Sequence, residues 1–152
     1  MAFACIIKID GISGTSKIKD GWIDVTSYAW GVTNDVKAWE QSPTGTAHVQ
    51  NFTITKRVDP SSPDIFTNCV NGKKIGTVEV SLLQSSGSDA PKEFANYKFT
   101  TCYITVVQPG GSVSAGADFG SETVQFNFAQ AAYGYGAKKG GFDVGKGGIQ
   151  GQ

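Results

Sequence analysis

Leucine is nearly absent from this 152-residue chain, which has only Leu82 and Leu83. The chain instead has 13 Val, 11 Ile, 13 Thr and 17 aromatic residues. Beta-branched and aromatic side chains fit the pleated surface of a sheet, and their stiff χ1 angles make them moderate helix formers. Glycine occurs 20 times, about twice its usual share, which suits frequent turns. The composition therefore predicts a mainly β protein.

The chain also lacks net charge, because 13 Lys and Arg balance 13 Asp and Glu. A neutral chain offers no electrostatic basis for binding nucleic acid or an anionic membrane. Charged residues make up only 17% of the sequence, so little long-range repulsion opposes self-association. We therefore expect no nucleic-acid partner and a surface suited to contact with other protein chains.

Segments that direct a chain into or across a membrane are missing from the sequence as well. No stretch approaches the ~20 apolar residues that span a bilayer, so we expect no stable membrane insertion. The N-terminus has no basic region, and its apolar run is too short for a signal peptide. The cysteines, Cys5, Cys69 and Cys102, are odd in number and predict reduced, mostly buried thiols.

Catalytic and metal-binding side chains are scarce. His48 is the only histidine, which excludes paired histidine ligands, and no two cysteines lie close in sequence. A nucleophilic triad would have to recruit His48 from the edge of a long loop, so a solvent-facing position at a strand end is the better interpretation. We expect neither an enzyme nor a bound metal or cofactor.

Alternating apolar positions predict several strands in a single domain that spans residues 1–152. The predicted strands cover residues 3–10, 22–32, 48–58, 77–83, 97–107 and 122–133. In the third of these, Phe52, Ile54 and Val58 are expected to face inward. Trp22 and Trp30 lie within a strand pattern and are interpreted as packing residues.

One short helix is predicted at about residues 62–71. Ser62 is a plausible N-cap, Pro63 suits the first helical position, and Gly72 suits the position after the end. The helix also has an apolar stripe, which predicts one buried face. The stripe consists of Ile65, Phe66, Cys69 and Val70.

Two segments have no periodicity. Residues 33–47 form a long loop around Trp39, and a loop of this length in a small domain is usually functional or disordered. Trp39 is either an anchor of the loop or a partner contact, and the second interpretation follows from the enrichment of tryptophan in interface hot spots. Residues 136–152 are rich in glycine and are expected to be loosely ordered, apart from residues 142–144.

Several segments, in chain order, resemble the Hcp (haemolysin-coregulated protein) family of type VI secretion systems. IKIDGISGTS at residues 7–16 is similar to the family's opening strand, and GWIDVTSYAWGV at residues 21–32 to its second strand. FTITKRVDPSSPDIF at residues 52–66, followed by NGKKI at 71–75, resembles its strand-to-helix signature. ETVQFNFA at 122–129 and GFDV at 141–144 resemble its late and closing strands.

The resemblance implies a two-sheet β-barrel with one short helix that assembles as a homohexameric ring. It implies rings that stack into the inner tube of a contractile injection machine, leave the bacterial cytoplasm without a cleaved signal peptide, and carry small effector proteins in the lumen. Spike and sheath proteins are the further partners that it implies. The family's extended loop reaches toward the adjacent ring, and in this chain it corresponds to Val36, Lys37, Trp39, Glu40 and Gln41.

Other interpretations remain open at this point. One is a tube subunit from a related contractile particle, such as a phage tail or a phage-derived injector, which gene neighbours would separate from a secretion system. Another is a monomeric β-barrel that binds a sugar or another ligand through Trp39, which predicts a monomer and a saturable ligand.

Overall fold

Antiparallel strands account for most of the chain in the computed structural model, which describes residues 2–39, 47–85, 90–111, 120–143 and 148–151. The elements in chain order are β1 (Ala2–Ile9), β2 (Ile23–Val25), β3 (Ser27–Ala29), β4 (Val32–Asn34), β5 (Ala47–Val49), β6 (Phe52–Arg57), α1 (Ser62–Asn71), β7 (Ile75–Ser85), β8 (Lys92–Gly110), β9 (Ser121–Tyr135), β10 (Lys138–Asp143) and β11 (Gly148–Gly151).

Nine of the strands form one sheet, whose main path runs β11-β10-β9-β8-β7-β1-β2. The sheet forks at β9, because β6 pairs with residues 121–126 of β9 and β10 pairs with residues 130–135. β3 pairs with the far side of β6. Since β2 and β3 are one strand interrupted at Thr26, the sheet nearly closes into a barrel. This architecture confirms the predicted β-barrel with one short helix.

The core of the barrel is aromatic. Alternate residues of the long strands point inward, and five rings meet in stacked, tilted or edge-to-face pairs with centroids 4.5–6.3 Å apart. These rings belong to Phe52, Tyr97, Phe99, Phe126 and Phe128. A second, smaller cluster of Ile6, Trp22 and Leu83 lies outside the main core. The packing role predicted for Trp22 is therefore confirmed.

The helix spans Ser62–Asn71 as predicted, but its N-cap and its apolar stripe differ from the expectation. Ser61, not Ser62, is the N-cap residue, and the Ser62 hydroxyl instead donates to the buried Glu122 carboxylate at 2.8 Å. Gly72 ends the helix in a left-handed conformation. Within the stripe Ile65 is buried, whereas Phe66 and Val70 are 51% and 70% exposed.

Residues 138–143 and 148–151 of the glycine-rich end form two strands, so the expectation of loose order was wrong for them, while residues 144–147 and 152 lie outside the described residues. β10 pairs with β9 over six residues, and β11 pairs with β10 over four. A Cβ atom on Gly141 would lie 2.7 Å from the main-chain oxygen of Ala131. Glycine has a low strand propensity, but here it allows the backbones of β10 and β9 to approach closely.

Candidate functional site

The predicted loop at residues 33–47 begins and ends in a two-stranded hairpin. Val32, Thr33 and Asn34 of β4 pair with Val49, His48 and Ala47 of β5, so the connection itself comprises residues 35–46. Three of the five residues proposed as stacking contacts, Val36, Lys37 and Trp39, directly follow β4. The other two, Glu40 and Gln41, lie outside the described residues.

Trp39 is the most exposed large apolar residue among those that the structure describes, with 80% of its surface open to solvent. Val36 is 46% exposed, and the Lys37 ammonium lies 5.9 Å from the centre of the Trp39 ring. The main-chain N–H of Val36 donates to the Asn34 side-chain oxygen at 2.8 Å, which fixes the turn that leaves β4. An exposed tryptophan next to a turn of defined conformation is typical of a protein interface.

The base of the hairpin is anchored in the core through Trp30. The Trp30 indole N–H donates to the main-chain oxygen of Gln50 at 2.9 Å, and the Gln50 N–H donates to the oxygen of Gly31 at 3.0 Å. The Trp30 ring meets Tyr97, Phe99 and Phe128 edge to face, at 5.6, 5.4 and 5.7 Å between centroids. The two strands of the hairpin therefore leave the barrel at a fixed position, and the packing role predicted for Trp30 is confirmed.

His48 lies on the exposed side of this hairpin, as its sequence context predicts. Its Nε2 atom is 3.7 Å from a carboxylate oxygen of Asp35, and both side chains are more than half exposed. An exposed pair of this kind adds little stability. Among the described residues no cluster of three or more His, Cys, Asp or Glu side chains is placed to hold a metal ion.

A charged cluster that the sequence analysis missed holds the start of α1 against the barrel. Lys56 is fully buried, and its ammonium donates to the Glu122 carboxylate at 2.6 Å, the Asp59 carboxylate at 3.0 Å and the Ser62 hydroxyl at 3.1 Å. The Ser62 hydroxyl in turn donates to Glu122 at 2.8 Å. Nearly every donor and acceptor of a buried pair must be satisfied in this way for the pair to be tolerated.

The period-two pattern of β6 indicated the inward position of Lys56 but not its partners. Phe52, Ile54 and Lys56 are the buried positions of β6, whereas Val58 lies beyond the strand and is 45% exposed. The expectation that Val58 faces inward was therefore wrong. Lysine takes the inward position because β9 places Glu122 directly opposite it.

The three thiols are unpaired, and two of them are closed off from solvent. Burial raises the pKa of both the Cys5 and the Cys102 thiol to about 12, so both remain neutral at ordinary pH. Cys69 on α1 is half-buried. Cys5 and Cys102 confirm the prediction of reduced, buried thiols.

Comparisons with known proteins agree with one another. Residues 6–135 match the family described as "Type VI secretion system effector, Hcp". Protein hcp1 of Pseudomonas aeruginosa is 30% identical over 151 residues, which cover 93% of this chain and 91% of that protein. Hcp proteins are structural and non-enzymatic, and type VI systems secrete them.

Solved structures resemble the whole fold. A structure described as that of a type six secretion system protein has a TM-score of 0.86 at 25% identity and covers 98% of this chain and 100% of its own. Hcp1 from Salmonella typhimurium has a TM-score of 0.82 at 26% identity, covering 99% and 100%. Within the described residues no helix is both long and apolar enough to cross a bilayer. From the match over residues 6–135 and the likeness of the fold, the chain belongs to the Hcp family of type VI secretion system proteins.

Proposed function

We propose that six copies of this chain close into a ring and that the rings stack to form the inner tube of a type VI secretion machine. The observation that carries this proposal is the match of residues 6–135 to the Hcp family. The zero net charge and the small share of charged residues support it, because they leave little repulsion between copies. In this role residues 1–152 act as one tube domain.

The hairpin of β4 and β5 is the proposed contact between stacked rings. Its connection presents Val36, Lys37 and Trp39 to solvent, and Glu40 and Gln41 follow them in sequence. The Trp30 anchor supports this role, because a contact held at a fixed position loses less conformational freedom on binding. Trp39 is the proposed hot spot.

The ring is assembled in the bacterial cytoplasm and exported without a cleaved signal peptide, to the exterior or into a target cell. Its further partners are the spike at the tip of the tube, the sheath around it, and small effector proteins in the lumen. Support for these partners comes from family membership. Genes for a membrane anchor beside this gene would support a secretion system over a related contractile particle, because both machines have a sheath.

The test is the mass and shape of the purified full-length protein. We expect light scattering on a size-exclusion peak to give about six times 16.0 kDa, and negative-stain images of that peak to contain open rings with some end-to-end stacks. A compact monomer at every concentration would overturn the proposal. It would instead favour the monomeric ligand-binding barrel, for which ligand screening around Trp39 is the next step.

A further inference from the structure

Two strands separate at one corner of the barrel. β1 pairs with β2 only where Cys5, Ile6 and Ile7 face Val25, Asp24 and Ile23. The next residue, Thr26, turns the chain away, because its N–H and its hydroxyl both donate to the oxygen of Thr55 at 2.8 Å. β3 therefore pairs with β6, while residues 2–4 of β1 continue along β7 alone.

The separation leaves an opening between β1 and β3. It contains a cavity of about 300 Å³, lined by Phe3, Ala4 and Cys5 on one side and by residues 25–28 on the other. Phe3 is 60% exposed at its mouth. Every second N–H and C=O of a strand points to the same side, so each flank presents main-chain groups that pair with no strand among the described residues.

The opposite end of the same sheet is also an unpaired edge. β11 is the outermost strand of the path, and within the described part of the chain it pairs only with β10. Its sequence is Gly-Ile-Gln-Gly. Glycine in a strand often marks a place where another backbone approaches closely.

We propose that the opening between β1 and β3 receives β11 of a second copy of this chain, which joins the sheets of neighbouring subunits in the ring. The inference rests on the proposed ring. A cyclic ring of identical subunits uses a head-to-tail interface, in which one surface of each copy meets a different surface of the next. The opening and β11 lie at the two ends of one sheet, so pairing them extends that sheet from subunit to subunit.

The chemistry of the two edges supports this pairing. Natural proteins protect exposed sheet edges with charged side chains, especially lysine, or with proline. Neither the residues that line the opening nor those of β11 include a charged residue or a proline. The join therefore desolvates no charge, and strand addition supplies main-chain hydrogen bonds to both edges.

Cysteine pairs introduced across the proposed join provide the test. Ala4→Cys is combined in turn with Gly148→Cys, Ile149→Cys, Gln150→Cys and Gly151→Cys, all with Cys69→Ser so that the half-buried native thiol is removed. Cys5 lines the opening and is replaced by alanine in every variant, whereas Cys102 is buried and does not compete for oxidation. After mild oxidation of the assembled protein, we expect a gel ladder of up to six linked subunits for one position of the scan and much weaker ladders for its neighbours. Such dependence on position is the mark of a strand register, because a disulfide requires Cα atoms within about 7 Å.

The control combines Ala4→Cys with Thr33→Cys on β4, which we expect to remain unlinked. A ladder from this control would overturn the proposal and place the hairpin in the opening instead. Rings of normal mass that form no ladder at any of the four positions would overturn the join while leaving the proposed function intact. A wild-type protein that is monomeric by light scattering would overturn both.

Hydrogen exchange on the wild-type protein repeats the test without any substitution. We expect amides of residues 2–4 and 27–29 that exchange quickly in dissociated subunits to exchange at least about ten times more slowly in rings, because the added strand binds them. Equal exchange in the two states contradicts the join.

Discussion

The Lys56 ammonium and the Glu122 carboxylate lie 2.6 Å apart in the interior, on residues that face each other directly across β6 and β9. Lys56 is 0% exposed and Glu122 is 3% exposed. The Lys56 ammonium also donates to the Arg57 main-chain oxygen, to Asp59 just before α1 and to Ser62 at its first position. The Lys56–Glu122 pair therefore links β6 to β9 and holds the start of α1 against both strands.

Removing one member of the Lys56–Glu122 pair leaves the other buried without its partner of opposite charge. We expect Lys56→Met to lower the free energy of unfolding by about 3–5 kcal/mol, because it leaves a buried carboxylate without its cation. The double variant Lys56→Met/Glu122→Leu should lose less than the sum of the single changes. The measurement is urea unfolding at matched protein concentration, since assembly adds to apparent stability. Lys17→Met, at an exposed lysine, is the control and should change stability by no more than about 0.5 kcal/mol. A loss at Lys56 as small as at Lys17 contradicts the prediction.

Stacking is expected to depend on Trp39. Trp39→Ala and Trp39→Asp should raise the protein concentration needed for tube formation at least about ten-fold, because loss of a hot spot typically exceeds the 1.4 kcal/mol that a factor of ten represents. Ring mass and unfolding should remain unchanged, since the side chain is 80% exposed. Tube lengths in negative stain provide the measurement. Phe66→Ala, an exposed aromatic on α1, is the matched control, and tubes of normal length and yield from the Trp39 variants count against the prediction.

The position of the hairpin is expected to depend on the Trp30 indole. Trp30→Phe keeps an aromatic ring in the core but removes the N–H that binds the Gln50 oxygen. We expect a loss of about 1 kcal/mol or more and faster hydrogen exchange across β4 and β5. Trp22→Phe makes the same change in the separate cluster of Ile6 and Leu83, and it should leave exchange in the hairpin unaltered. Similar hydrogen-exchange rates across β4 and β5 in the two variants would contradict the prediction that the Trp30 indole holds the hairpin in position.

Two adjacent glycines test the pairing of β10. Gly141→Ala would place its Cβ 2.7 Å from the Ala131 oxygen, whereas a Cβ on Gly140 meets nothing within 4 Å. We expect Gly141→Ala to lower stability by about 1–3 kcal/mol through overpacking. Gly140→Ala should be neutral or slightly stabilising. Equal effects in urea unfolding would mean that β10 does not lie against β9 in this register.

Alkaline pH is expected to destabilise the fold through its buried thiols. Burial raises the pKa of Cys5 and of Cys102 from 9.0 to about 12. A folded-state pKa above the unfolded one contributes stability that is complete below pH 9 and is lost as the pH rises toward 12. Each thiol adds a slope of at most about 1.4 kcal/mol per pH unit in that window.

Cys5→Ala/Cys102→Ala should therefore flatten the fall in stability between pH 9 and 11. Burial also raises the pKa of Tyr97, so part of the fall should persist in the double variant. A pH profile that is the same in the double variant and the wild type contradicts the assignment.

Local sequence patterns correctly predicted the structural features that depend only on residues close together in the sequence. The alternation of Val124, Phe126 and Phe128 identified the inward face of β9, and Pro63 and Gly72 marked the two ends of α1. Both patterns reflect interactions between residues a few positions apart, and the folded chain retains these interactions.

Contacts between distant residues were not predictable in the same way. Lys56 is buried because Glu122, 66 residues later, faces it, and the residues around either position contain no sign of the other. The break at Thr26 depends on the oxygen of Thr55, and the pairing of the glycine-rich β10 depends on the edge of β9. Of the five proposed stacking residues, only the exposure of Val36, Lys37 and Trp39 is described by the structure.

The course of the chain through Trp30 and Gln50 determines how the barrel responds to mechanical force. β3 continues into β4, and β5 continues into β6, so both arms of the hairpin are extensions of strands within the barrel. Tension applied at Trp39 pulls on the two arms together and tends to slide β6 along β9. The hydrogen bonds of an antiparallel pair lie perpendicular to the strands, so the six residue pairs from Phe52–Phe126 to Arg57–Ser121 are sheared at the same time instead of being opened one by one. A subunit pulled by its hairpin thus resists extraction through a strand pairing between distant parts of the chain.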